Sequence, residues 1–265
     1  MRGCGSGERT LPLRVLAVQE SAVPRDVGAN VHRIRTLLAD HPEADIAVFP
    51  ELFVTGYQVD SLDELALSAR GGVVSAIAEA CADYGTAFVG GYLERADDGT
   101  LYDSMLLIDE RGELVGNYRK THLFGGESSL FTAGDQLRCV EIGGVVVAPL
   151  ICFDVEIAEA ARALARQDPD VFIVIAANMR PFHDDHLIAT RARALDNRTP
   201  LIYVNRVGSE AGFDFVGGSR AVTGDGTVLC DFGSDAQSAV FELPLRAAVA
   251  VEVDYRRHLR PELYV

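Results

Sequence analysis

Apolar and polar positions follow two different periods along most of the chain. Short, nearly continuous apolar runs read as buried strands: LRVLAVQE (13–20), IAVFP (46–50), TAFVGGYLE (86–94), VVVAPLI (145–151), VFIVIAAN (171–178) and LIYVNRVG (201–208). Between them, apolar residues recur every three or four positions, the spacing of an amphipathic helix. These stretches are VGANVHRIRTLLADH (27–41), VVSAIAEACADYG (73–85), VEIAEAARALARQ (155–167) and DHLIATRARALDN (185–197). LYDSMLLID (101–109) and ELVGNYRK (113–120) flank Glu110-Arg111-Gly112 and read as a hairpin. From about 213 to 242, glycines punctuate short β segments.

Strands with helices between and around them predict an α/β layered architecture, two packed sheets with helices outside. No linker, repeat or composition break divides the chain, so residues 11–265 are expected to form one domain. The first ten residues, MRGCGSGERT, are polar and glycine-rich. They read as a disordered N-terminal arm and lack the apolar segment of a signal peptide.

Composition narrows the function. A hydrophobic content of 48% over 265 residues supplies a sizeable core. No run of eighteen apolar residues is present, so no membrane span is expected. The net charge of −15 opposes binding to nucleic acid or to anionic membranes, which leaves a small molecule as the expected partner. Five cysteines (Cys4, Cys81, Cys139, Cys152, Cys230) are scattered and odd in number, which is no disulfide framework. A cytoplasmic location is expected, with no cofactor and no metal.

The basic residues carry a further signal. Lys120 is the only lysine; every other one of the 24 basic residues is arginine. Lysine offers a compact ammonium where arginine offers a wide planar fork, so a site that holds a small cation against an oxyanion needs lysine. Lys120 ends one apolar run, Glu51 follows another directly, and Cys152 ends a third. Ligands and catalytic groups collect at the carboxyl ends of strands in α/β sheets. Desolvation behind the strand is expected to raise Glu51 into the range of a general base. A helix beginning near Asp154 is expected to lower the Cys152 thiol pKa. Of the six histidines, only His122 lies near a relevant strand end. That favours a base, oxyanion stabiliser and nucleophile drawn from Glu, Lys and Cys over a Cys–His pair. Asp154 and Glu156 read as helix-terminal acids outside the catalytic set. His183-Asp184-Asp185-His186 reads as a helix start rather than a metal site.

Three segments, FPELFVTGY (49–57), YRKTHLF (118–124) and LICFDVEIAE (150–159), resemble in order and separation the signature segments of the nitrilase superfamily of carbon–nitrogen hydrolases. The resemblance covers residues 13–265 and departs from the common pattern at Ile157-Ala158. It implies a four-layer αββα sandwich that forms a homodimer or higher homo-oligomer. It implies catalytic roles for Glu51, Lys120 and Cys152, with Glu127 as a fourth residue and the backbone N–H of Phe153 in the oxyanion hole. Tyr57, Asn178 and Phe182 fall where the family builds its substrate pocket. The activity it implies is hydrolysis of a small linear amide to carboxylate and ammonia through a cysteine thioester. A nitrile or an N-carbamoyl compound is the alternative substrate. A catalytically silent binding member and a glutaminase or acyl-transfer module are the rival classes.

Overall fold

The computed structural model describes residues 12–57, 60, 62–245 and 253–263. The expected arm over 1–10 lies outside the described residues. The first half comprises β1 (Leu13–Gln19), α1 (Val27–Asp40), β2 (Ile46–Val48), α2 (Leu62–Leu65), α3 (Gly72–Tyr84), β3 (Ala87–Arg95), β4 (Leu101–Ile108) and β5 (Leu114–Arg119). There follow β6 (Val140–Ile142), β7 (Val145–Ile151), α4 (Ala158–Ala165), β8 (Val171–Ala176), α5 (His183–Asn197) and β9 (Leu201–Asn205). β10 (Val207–Glu210), β11 (Phe213–Val216), β12 (Arg220–Val222), β13 (Val228–Asp231) and β14 (Gln237–Leu243) complete the strands.

Two six-stranded sheets form, in the orders β14-β1-β2-β3-β4-β5 and β13-β12-β9-β8-β7-β6. Each has a parallel trio, β1-β2-β3 or β7-β8-β9, extended on both sides by antiparallel strands. The period-2 geometry of a strand sends alternate side chains to opposite faces. Along β1, Leu13, Val15 and Ala17 join the core shared with β7–β9 of the second sheet. Leu16 and Val18 join a separate core with Ile34, Leu37 and Leu38 of α1 and Val74, Ile77 and Ala80 of α3. Each such large aliphatic side chain contributes about 1.5–3 kcal/mol by leaving water. With α4 and α5 covering the second sheet, the layers are helix, sheet, sheet, helix, as the sequence implies.

The helix ends follow local chemistry. The Asp26 carboxylate caps α1 by accepting from the Ala29 N–H at 2.9 Å. Gly85 ends α3 in the left-handed region, where a side chain is disfavoured.

Two elements differ from expectation. The expected helix over 155–167 is a 3-10 turn, Cys152–Val155, followed by the shorter α4. The Asp154 carboxylate accepts the Ile151 N–H and bonds to neighbouring segments, which holds the chain in a tight turn. The expected strand 201–208 divides at Asn205, and β10 leaves the sheet to pair with β11. The Asn205 amide donates to the carbonyls of Asn178 and Gly217, fixing the break.

Candidate active site

The parallel trios make the carboxyl ends of β2 and β3 share one edge of the first sheet. β4 runs antiparallel to β3 and β5 antiparallel to β4, so the end of β5 and the start of β4 reach that edge too. Glu51 follows β2, Lys120 follows β5, and Asp103 lies near the start of β4. Cys152 follows β7 and Ala177 follows β8 in the facing sheet. Sheet packing therefore brings five segments to one buried point.

Backbone detail fixes them there. Phe49 to Val54 runs against β3, with the Phe49 N–H donating to the Val89 carbonyl and the Val54 N–H to that of Gly91. Gly91 is required: a Cβ there would stand 2.2 Å from the Leu52 nitrogen and 2.6 Å from the Glu51 Cα. Lys120 is pinned by its N–H donating to the Asp103 carbonyl at 2.9 Å. Cys152 itself has φ of 48°, a left-handed conformation that costs a non-glycine residue about 1–3 kcal/mol. The turn throws its side chain off the strand end toward the first sheet.

The Lys120 ammonium donates to Glu51 Oε1 at 2.7 Å and to Glu127 Oε1 at 2.8 Å. The other Glu51 oxygen accepts the Ala177 N–H at 2.5 Å, and the other Glu127 oxygen accepts the Phe124 N–H at 2.8 Å. Lys120 is 1% exposed and Glu51 fully enclosed, whereas Cys152 and Glu127 keep 8% each. What exposure the group keeps is at Cys152 and Glu127. Glu51, Asp103 and Glu127 each bring an oxygen within 4.8 Å of the others, an array that would suit a cation. Lys120 supplies one: besides its bonds to both glutamates, its ammonium is 3.5 Å from Asp103.

The electrostatics revise two expectations. Burial pushes the Glu51 carboxyl up, but the Lys120 ammonium and the hydrogen bonds around it outweigh burial and hold it below the ordinary carboxylate value. Burial, together with the Glu51 charge, pushes the Cys152 thiol well above the ordinary thiol value. The four-residue 3-10 turn after it is too short to supply the expected helix dipole. The resting pair is therefore a neutral thiol and an ionised carboxylate, each of which acts on the other's titration. Burial alone would discharge Lys120, but Glu51 and the neighbouring groups raise it well above its ordinary value, so it stays an ammonium.

The remaining expected residues surround this centre. Phe153 follows the thiol in the same turn, its ring edge-on to Phe124, which also meets Phe182. Asn178 is buried; its N–H donates to Asn205 Oδ1 and its Nδ2 to the Phe182 carbonyl, while its Oδ1 has no donor among the described residues. Tyr57 is packed edge-on to Phe213 and Phe215. Burial, and then the charges of Glu51 and Glu127, raise its phenol. Of the helix-start motif, His183 opens α5, while His186 is buried between the Tyr203 hydroxyl and Glu156.

Sequence reasoning missed Asp103 and undervalued Asp154. An acid inside an otherwise apolar strand, as in LYDSMLLI, was the available signal for the first. Asp154 accepts from the Tyr118 hydroxyl, the Thr121 hydroxyl and the His122 N–H, each at 2.8 Å. It bolts the Cys152 turn to the segment that follows Lys120.

A sandwich of two sheets with a thiol, a carboxylate and an ammonium gathered at its strand ends is the frame of a thiol-dependent hydrolase. The chain belongs to the carbon–nitrogen hydrolase family, which it matches over residues 14–250. It is 35% identical over 246 residues to an (R)-stereoselective amidase from a Pseudomonas species, covering 92% of this chain and 89% of that protein. An amidase from Nesterenkonia sp. AN1 has been solved as a glutamate-to-glutamine mutant with the acetamide moiety of fluoroacetamide added covalently at the active-site cysteine. That structure superposes with a TM-score of 0.86 at 29% identity, over 97% of both chains. A cysteine-to-alanine mutant of the same amidase, in complex with butyramide, gives a TM-score of 0.85 at 29% identity, again over 97% of both chains.

Proposed function

We propose that this chain is an amidase that hydrolyses a small linear carboxamide to a carboxylate and ammonia through a thioester on Cys152. The observation that carries the reading is the Lys120 ammonium clamped between Glu51 and Glu127, with the thiol against the same Glu51 carboxylate. A thiol held protonated needs a base at the moment of attack, and the ionised Glu51 is that base. As the sulfur bonds to the amide carbon, its proton passes to Glu51. The tetrahedral oxyanion is stabilised by the Lys120 ammonium and the Phe153 N–H. Glu51 returns the proton to the departing nitrogen, then takes one from the water that cleaves the thioester and passes it to the Cys152 sulfur as that leaves, restoring the resting pair. Glu127 orients Lys120 and faces the substrate nitrogen.

Tyr57, Asn178 and Phe182 line the acyl side. The unpartnered Asn178 Oδ1 is suited to accept a substrate N–H, and the Phe124, Phe153 and Phe182 rings provide an apolar wall for a short acyl chain. The amidases among the similar proteins support an amide over a nitrile or an N-carbamoyl compound. The test is ammonia release across a panel of short amides, nitriles and N-carbamoyl compounds. Turnover of amides alone supports the reading; turnover of nitriles alone, or of nothing in the panel, sinks it.

We further infer a homodimer that works in the cytoplasm, with neither nucleic acid nor membrane as partner. The family resemblance, the exposed Ile188 on α5 and the free thiols of Cys81, Cys139, Cys152 and Cys230 support this. Among the described residues, no helix is long and apolar enough to cross a membrane. Light scattering at micromolar concentration tests the dimer; a monomer mass contradicts it.

A further inference from the structure

We propose that Asp103 is a positioning residue of this site: a carboxylic acid that keeps its proton in the resting enzyme and donates it as a hydrogen bond to Glu51. Asp103 is 1% exposed, and among the described residues neither of its oxygens receives a hydrogen bond from a protein donor. Its nearest cation, the Lys120 ammonium, is 3.5 Å away, because that ammonium is drawn to Glu51 at 2.7 Å and Glu127 at 2.8 Å. An ionised carboxylate so enclosed would be a buried charge with no full partner, an arrangement that native structures avoid.

Charge counting points the same way. One ammonium faces three carboxyl groups whose oxygens lie within 4.8 Å of one another, so full ionisation would leave two uncompensated negative charges away from water. Like charges at such a site force one carboxyl to keep its proton. Glu51 and Glu127 each have an ammonium bond and a backbone N–H, whereas Asp103 has neither. Across the sheet, Leu93 stands opposite it on β3 and offers no charge. The groups that act on it are Glu51 from the turn after β2, Lys120 from the end of β5 and Glu127 from the 3-10 turn Gly125–Ser129. Cys152 and Tyr57 act on or feel the same Glu51 charge. Burial first, and then the Glu51 charge, hold the Asp103 carboxyl well above its ordinary value.

A neutral Asp103 has a consequence for the reaction proposed above, on which this part of the inference rests. An ammonium has three donors, and two of them are committed to glutamates. An ionised Asp103 would draw the third toward itself. A protonated Asp103 leaves that donor for the substrate oxyanion and spends its own O–H on Glu51. Its proton stays in place throughout; the protons that move, from the thiol and then from the attacking water, pass through Glu51.

The test combines a spectrum with a pH profile. In wild-type protein labelled with 13C-aspartate, infrared spectroscopy at neutral pH is expected to show a label-sensitive C=O band of a protonated acid. The band should bleach as pH rises and be missing in Asp103→Asn. Its absence from the wild type, or its persistence in the variant, overturns the proposal. This readout needs no turnover, so it stands or falls apart from the amidase reading. On an amide substrate, Asp103→Asn, which keeps a donor, is expected to lower kcat/KM by no more than about tenfold, below the 10²–10⁴ of a proton-transfer group. Its alkaline limb should move to higher pH, because the wild type loses activity as Asp103 ionises. Asp103→Leu, with no donor, should fall at least about tenfold below Asp103→Asn. A larger loss in the asparagine variant, an unmoved alkaline limb, or equal activity of the two variants contradicts the role.

Discussion

Replacing Lys120 by arginine keeps the charge and changes its shape alone, which isolates what the site requires of that cation. The ammonium fits between Glu51 and Glu127 at 2.7 and 2.8 Å, in a position 1% exposed. A guanidinium spreads its donors over a plane and adds two nitrogens where packing is closed. Overfilling such a position costs about 1–3 kcal/mol of stability. The third donor also moves away from the oxyanion. Loss of one such donor is worth about 2.7–4 kcal/mol of transition-state stabilisation, which predicts a fall in kcat/KM of about 10²–10³. Lys120→Met is the companion: it leaves the carboxylates without a cation, and breaking a buried ion pair costs about 3–5 kcal/mol. Urea melts and ammonia release on one preparation of each variant supply both numbers. Arginine is expected to retain more stability than methionine while losing nearly all turnover. Activity of Lys120→Arg within about tenfold of wild type, roughly 1.4 kcal/mol in barrier, would refute the need for a compact charge.

Glu51→Gln removes the proposed base while keeping the side chain's size, and kcat should fall by about 10²–10⁴. Saturation kinetics check it; a fall confined to KM would assign Glu51 to binding instead. Gly91→Ala places a methyl 2.2 Å from the Leu52 nitrogen and so must displace the Glu51 turn. It should cost at least about 1–3 kcal/mol in a denaturant melt, along with activity, and a wild-type melt would count against the close approach. His122 is raised above 6.5, chiefly by its hydrogen bond with Asp154. Its contribution to stability is therefore full below that value and lost as pH rises through the higher folded value. The Tm gap between wild type and His122→Asn should close as pH rises from about 5.5 to 9, and a constant gap would contradict the pair.

Much of this site could be read before the structure, because three of its groups sit where apolar runs stop. Glu51, Lys120 and Cys152 each follow a strand, and strand ends of one polarity meet on one edge. Asp103 escaped because it belongs to a strand interior, where register against β3 and β5 decides which face it takes. The protonation pattern was also beyond the sequence. A buried Glu51 reads as a raised carboxyl until the ammonium 2.7 Å away is known. The shortened α4 and the break at Asn205 share one cause, side chains that bond to backbone distant in sequence (Asp154 to the His122 N–H, Asn205 to the Asn178 and Gly217 carbonyls) and override local periodicity. By contrast, Gly85 and Asp26 act on their own neighbours, and the ends of α3 and α1 fall close to expectation.

The central claim is that the sulfur of Cys152 carries the acyl group during turnover. Rapid acid quench of the enzyme with a short amide, followed by peptide mass spectrometry, tests it most directly. An acyl mass is expected on the peptide containing Cys152, formed together with ammonia and absent from Cys152→Ala, which releases none. Ammonia released undiminished by Cys152→Ala, or an acyl group found on Cys81, Cys139 or Cys230 instead, would contradict it.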